Sequence, residues 1–132
     1  MKQPCPCGRP AAFADCCGRY LSGQAAPDAE ALMRSRYTAY TLGDEAYLLA
    51  TWHPDTRPAT LGLADETPPR WLGLSVKRHL ATDSEHAVVE FVARYKVAGR
   101  AFRLHEVSRF ERLAGDWYYR DGVLEQTYGS NA

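Results

Sequence analysis

The chain is predicted to be an α+β protein, with helices followed by a four-stranded antiparallel meander and a small metal knuckle ahead of both. Three observations predict this. All four cysteines of the 132 residues fall between Cys5 and Cys17. Apolar residues from Ala29 to Tyr40 recur at helical spacing. From Trp71 onward the pattern changes to period two, interrupted by short turn signals. A helical half and a stranded half joined by short connections must cover one sheet face with the helices.

The knuckle comes first. Cys5 and Cys7 flank one residue, Cys16 and Cys17 are adjacent, and eight residues separate the pairs. A segment this short buries no apolar core of its own, so something else must fold it. Pro6 and Pro10 fix φ, and Gly8 and Gly18 permit the turns that bring the pairs together. Four thiolates close a tetrahedral site with bonds of about 2.3 Å. Zinc is the expected occupant and iron the other candidate, since thiolate sites accept both. The competing reading is two pairs of free or redox thiols. The knuckle is assigned residues 1–22, with Tyr20 and Leu21 docking it on the main domain of residues 28–128.

Residues 18–27 read as a linker with an anchored start. Asp28 is an N-cap, and the helix it opens carries Ala29, Leu32, Met33, Tyr37 and Tyr40 on one stripe until Gly43 stops it. Asp44 caps a second helix running to about Trp52, broken by His53-Pro54. Residues 54–70 hold Pro54, Pro58, Pro68 and Pro69, and read as a long loop with one turn of helix at Leu61–Ala64. Strands are expected over 71–81, 86–97, 101–113 and 117–122, joined by hairpins at 82–85, 98–99 and 114–116.

Two resemblances follow from these residues. The spacing C-x-C, eight residues, C-C, with Phe13 at the sixth intervening position, resembles the SEC-C motif also found at the end of the SecA translocation ATPase. Arg9 stands where that motif usually has Ser. The whole chain resembles the YchJ family of bacterial proteins, through Leu32-Met33-Arg34-Ser35-Arg36-Tyr37-Thr38-Ala39-Tyr40, Thr51-Trp52-His53-Pro54, His105-Glu106-Val107-Ser108-Arg109-Phe110 and Trp117-Tyr118-Tyr119-Arg120-Asp121-Gly122. In that family the knuckle precedes a nuclear-transport-factor-2-like (SnoaL-like, cystatin-like) domain. The resemblance implies a curved sheet wrapped around helices as a cone with a pocket. It carries over no activity, because this fold hosts enzymes, binding modules and assembly domains alike.

Register follows from the Ala98-Gly99 turn. Val97 faces Arg100, Tyr95 faces Phe102, Ala93 faces Leu104, Phe91 faces Glu106 and Val89 faces Ser108, all on one face with Phe110. An even-numbered loop in the next hairpin adds Trp117, Tyr119 and Asp121. That apolar face then holds Glu106, Ser108 and Asp121, and Arg36 interrupts the facing helix stripe. The pocket is therefore assigned to Arg36, Tyr40, Phe91, Glu106, Ser108, Tyr119 and Asp121. Arg36 is expected to pair with Glu106 or to share a partner such as Ser108, Asp121 or Tyr40, because a lone buried charge is costly. One reading makes Glu106 or Asp121 an acid or base, with His53 at the rim as a further candidate. The other makes the pair a strut between helix and sheet. His105 should lie on the opposite face beside Val92, and His79 and His86 on the surface. Trp52, Trp71 and Trp117 read as core or rim anchors.

Composition bounds the function. Hydrophobic residues are 45% and charged residues 24%, and 16 basic against 16 acidic residues give a formal net charge of zero. Coating of duplex DNA needs a basic excess and is not expected. No membrane span and no secretory h-region are read, so a cytoplasmic protein is expected. The leading expectation is an adaptor, with the knuckle contacting a protein or ribosomal surface and the cone holding a small apolar ligand or peptide. The alternatives are a small SnoaL-like enzyme and a homodimerisation module built on the outer sheet face at Val88, Val92 and Val107. An adaptor needs exposed Lys2, Arg9 and Arg19, an enzyme needs a cavity reaching Glu106, and a dimer needs a flat apolar outer sheet.

Overall fold

The computed structural model describes residues 3–63 and 68–130. The knuckle closes on an antiparallel bridge between Pro4 and Ala12, followed by a 3-10 turn at Phe13–Asp15 and a short helix α1 at Cys17–Leu21. Helix α1 replaces the first part of the expected linker. It ends at Ser22 and Gly23, the latter with φ 119°.

Helix α2 spans Ala29–Leu42. Asp28 starts it by accepting the Ala31 N–H at 2.7 Å, and Gly43 stops it at φ 71°, where a side chain would be strained. Helix α3 spans Glu45–Ala50, with the Asp44 carboxylate accepting the Tyr47 N–H at 3.1 Å. The loop beyond is pinned from α3: Glu45 accepts the Thr60 hydroxyl and the Leu61 and Leu63 N–H groups at 3.0–3.2 Å. The helical turn expected at Leu61–Ala64 runs into residues outside those described. Among the described residues no helix is long and apolar enough to cross a membrane.

Four strands follow: β1 at Arg70–Ala81, β2 at His86–Val97, β3 at Arg100–Leu113 and β4 at Asp116–Ser130. They form one antiparallel sheet in the order β1-β2-β3-β4. The β2–β3 register is the expected one, from Val97 opposite Arg100 to Val89 opposite Ser108. Two-residue turns set the β2–β3 and β3–β4 hairpins, with Ala98 and Gly99 at φ 52° and 78°, and Ala114 and Gly115 at φ 51° and 89°. Strand β4 is eight residues longer than the expected end at 122, and it outruns the domain boundary drawn at 128.

The long β4 does not keep step with β3. Phe110 pairs with Tyr119, but Arg109 pairs with Asp121, so Arg120 is an extra residue. A bulge of this kind moves the side chains that follow it to the other face, here as far as Leu124, where the register shifts again. Asp121 therefore leaves the inner face to which alternation assigned it, and Gly122 arrives there opposite Ser108. The core lies between α2 and the inner face: Leu32, Met33 and Tyr37 pack on Val89, Phe91, Ala93 and Phe110, with Trp71, Trp117 and Tyr119 at its margin.

Candidate functional site

The four cysteines are buried and unpaired, and their sulfurs all lie within 4.8 Å of one another. Cys7 Sγ and Cys16 Sγ are 3.7 Å apart. That is far beyond the roughly 2.05 Å of a disulfide. It matches the edge, about 3.8 Å, of a tetrahedron whose centre is about 2.3 Å from each corner. In the absence of a cation the cluster divides its protons unevenly. The Cys7 thiol is held down at about 4, first by a hydrogen bond from Cys17 and then by the Arg9 N–H among others, against the effect of burial. Burial pushes Cys16 up to about 11, and Cys17, donor to Cys7, is pushed up as well. Crowded sulfurs cannot all ionise unless a cation sits among them, so the donor set fits a thiophilic metal ion.

The local sequence explains the shape. Gly18 sits under Phe13: a Cβ there would lie 2.7 Å from the Phe13 carbonyl oxygen and 3.0 Å from its ring. Helix α2 supplies the other side. Arg34 Nη1 donates to the Cys7 carbonyl at 2.9 Å, and the Glu30 carboxylate accepts from both Arg34 (3.0 Å) and Arg9 (3.2 Å). The buried Thr38 hydroxyl lies 4.0 Å from Cys5 Sγ and also faces Cys17. No sequence signal ties Thr38, Arg34 or Glu30 to the knuckle, because only the docking of α2 reveals their role. Of the basic groups that a contact surface would expose, Arg9 is engaged by Glu30, and Arg19 turns back to the Cys16 carbonyl and Tyr20 hydroxyl. Lys2 lies outside the described residues.

A second site lies against another face of α2. A cavity of about 260 Å³ is walled by apolar and aromatic side chains, Trp52, Trp71, Phe91 and Leu104 among them. Arg36, Tyr40, Glu106, Ser108 and Tyr119 bring its polar groups. Six of the seven residues assigned to the pocket thus line one cavity, and Asp121 does not. Asp121 is on the outer face, where Arg109 grips it through Nε (2.6 Å) and Nη2 and holds its carboxyl below the usual range. His53 also stands apart from the cavity. It is buried, its Nδ1 accepts the Asp55 N–H at 3.0 Å, and Nε2 faces Glu111 at 3.4 Å. Its neighbour Trp52 does reach the cavity.

The expected Arg36–Glu106 ion pair is not formed. Arg36 is 4% exposed, and Nη1 donates to the Leu48 carbonyl at 2.7 Å and to Thr51 Oγ1 at 2.6 Å. Leu48 lies in the last turn of α3, where carbonyls lack helical partners and attract cations. The guanidinium packs between Trp52 (5.2 Å) and Tyr119 (4.7 Å). Glu106 Oε2 accepts from the Ser108 hydroxyl and, at 3.4 Å, from the Tyr119 hydroxyl. Burial first, then the charge of Glu106, raises the Tyr119 pKa, which keeps the phenol a donor. Tyr119 is thus the shared partner, its ring against the cation and its hydroxyl on the anion. Gly122 makes room: a Cβ there would fall 2.3 Å from Glu106 Oε2.

The outer sheet face is not a flat apolar surface. Val88, Val92 and Val107 are interleaved with Arg78, Glu90 and His105, with His105 Nε2 2.7 Å and Arg78 Nε 3.6 Å from Glu90, and with the Arg109–Asp121 pair. His105 lies opposite Val92 as expected, and His79 and His86 stand near the surface beside Glu30 and Asp83.

Comparison with known proteins bears on both sites. The family described as "YchJ, middle NTF2-like domain" matches residues 28–122, and the SEC-C motif matches residues 1–19. A UPF0225 protein of Xanthomonas oryzae pv. oryzae is 58% identical over 119 residues, covering 89% of this chain and 92% of its own length. One from Bordetella parapertussis is 53% identical over 133 residues, covering 94% and 99%. The solution structure of a SEC-C motif containing protein from Rhodopseudomonas palustris superposes with a TM-score of 0.82 at 33% identity, covering 96% of this chain and all (100%) of that one. The crystal structure of a SEC-C motif containing protein from Psychrobacter arcticus gives 0.73 at 29% identity, covering 96% and 84%.

Proposed function

The chain belongs to the YchJ (UPF0225) family, and from that membership and the two sites we propose that it is a zinc-stabilised binding protein whose cone holds a small, largely apolar ligand. The observation that carries the proposal is the cavity of about 260 Å³, whose aromatic walls surround a few convergent polar groups. Ligand sites have this character, and just below the usual range of about 300–1,000 Å³ a small molecule fits better than a peptide. Cys5, Cys7, Cys16 and Cys17 would hold the zinc. A four-thiolate zinc supplies structure, since all four positions are filled. Its work here is to lock the knuckle on α2, another face of which is a cavity wall. The test has two parts. Metal analysis of reduced protein should find one zinc per chain, and an apolar fluorophore should bind one-to-one while quenching Trp52 and Trp71. A protein whose thiols react freely, or a probe signal unchanged when Ala93→Phe fills the cavity, would refute the respective part.

A second reading is an enzyme using Glu106 as acid or base, favoured by the carboxylate lining the cavity beside two hydroxyls. Glu106→Gln should then abolish turnover of a bound substrate while leaving its binding intact. The adaptor role of the knuckle toward a protein or ribosome is the remaining part of the proposal. It would be tested by whether ribosomes retain the wild-type chain and release an Arg9→Glu, Arg19→Glu variant.

A further inference from the structure

The polar groups of the cavity are not evenly satisfied. Both protons of Arg36 Nη1 are taken, by Leu48 and Thr51. The other edge of the guanidinium, Nε and Nη2, has no acceptor among the described residues, although Arg36 is 4% exposed. That edge is a two-toothed donor for a carboxylate. The same molecule shows the fit on its surface, where Nε and Nη2 of Arg109 grip the two oxygens of Asp121. Trp52, whose ring flanks Arg36 and which also lines the cavity, has at Nε1 a side-chain N–H closed off from solvent and without a partner among the described residues. A buried cation with no carboxylate in contact and a buried donor without an acceptor are both costly, and they belong to adjoining residues of the same cavity lining.

Resting on the reading of the cavity as a ligand site, we propose that it recognises a small apolar monocarboxylic acid, the carboxylate held by the Nε–Nη2 edge of Arg36 and the Nε1–H of Trp52. The apolar body then lies along Phe91, Leu104 and Trp71. Glu106 does not take the carboxylate's place, because its Oε2 accepts from the Ser108 hydroxyl and from the hydroxyl at the edge of the Tyr119 ring, whose face packs on Arg36. It does limit affinity, as a like charge in the same cavity. It also disfavours a phosphate, whose second charge and additional oxygens would find no further cation here. The space, about 260 Å³, equals roughly nine water molecules at about 30 Å³ each, which suits an acid of about ten heavy atoms.

The experiment is calorimetric titration of the zinc-loaded full chain at neutral pH with three matched probes: 3-phenylpropanoate, 3-phenylpropanamide and 3-phenylpropylamine. The acid is expected to bind about tenfold or more tighter than the amide, the margin of one charge-assisted hydrogen bond. Trp52→Phe should weaken the acid severalfold, and Glu106→Gln should tighten it severalfold by removing the like charge. These two variants leave the Arg36 contacts to α3 in place, so the test does not depend on an Arg36 variant that folds. Equal binding of acid and amide, tightest binding of the amine, or a Glu106→Gln variant that weakens the acid would overturn the inference while leaving an apolar ligand site standing. Failure of all three probes to bind would overturn both.

Discussion

Gly122→Ala tests the arrangement around Glu106 through a single methyl group. Gly122 reaches the inner face only because Arg120 is an extra residue in β4. Its φ is not in the left-handed region, so the substitution strains no backbone. The added Cβ would meet Glu106 Oε2 at 2.3 Å, Cδ at 2.6 Å and Cγ at 3.0 Å. All three atoms belong to a flexible side chain, so Glu106 swings away and loses its bond from Ser108. Hydrogen bonds to charged groups contribute about 1.5–3 kcal/mol. Alanine regains about 0.5–1 kcal/mol over glycine in a strand. The net cost should be about 1–2 kcal/mol, read from urea unfolding of zinc-loaded protein. The decisive measurement repeats the substitution in a Glu106→Ala background. There the clash is gone, and Gly122→Ala should be neutral or stabilising. Equal costs in both backgrounds, within about 0.5 kcal/mol, would show that the two residues do not meet and that the β4 register is wrong.

Other outcomes follow from the same structure. A strong chelator should abolish amide protection in the knuckle and free the Cys7 carbonyl from Arg34, while the sheet keeps its protection, because the cone has its own core; loss of the whole far-ultraviolet signal would contradict this. The Leu63 and Leu61 N–H groups and the Thr60 hydroxyl hold the Glu45 carboxyl below its usual pKa. The loop anchoring they provide is therefore complete above the unfolded value of about 4.3 and lost as pH falls through the lower folded value. Proteolysis at residues 56–63 should rise across that range, and Glu45→Gln should show the raised rate already at pH 7. Ala98 and Ala114 both sit at positive φ in their hairpin turns. Ala98→Asn and Ala114→Asn should each stabilise by about 0.5–1 kcal/mol in thermal unfolding, and a loss at either would refute the turn geometry.

What the sequence reveals, and what it hides, divides along range. The knuckle is legible because its four sulfurs are near neighbours in the chain. The α2 boundaries are legible because Asp28 and Gly43 have local capping chemistry. The β2–β3 register follows once a two-residue turn is recognised. Asp121 is misplaced because alternation was carried through Arg120 without a break; Gly122, a glycine inside a strand, is the signal that a bulge was near. The partner of Arg36 is misjudged for another reason. Opposite charges were expected to seek each other, whereas the carbonyl of Leu48 at the end of a short helix offers a cation a nearer partner. No pattern in the chain announces that the C-terminus of α3 is aimed at the side of α2.

The cysteine cluster also has a consequence for the order in which this molecule assembles. All four cysteine sulfurs lie between Cys5 and Cys17, so closing them around a metal ion would involve only short loops and little closure entropy. The sheet instead needs strands drawn from residues 70 to 130, a slower search for distant partners. During synthesis the knuckle leaves the ribosome ahead of α2 and the sheet, and has its full set of donors before Arg34 and Thr38 exist to receive it. A metal captured at that stage would precede docking, and α2 would meet a finished surface rather than a loose loop. Zinc uptake by chains held in enough urea to unfold the sheet should therefore remain fast and one-to-one. Uptake that waits for the sheet to fold would reverse that order and make the cone the template for the knuckle.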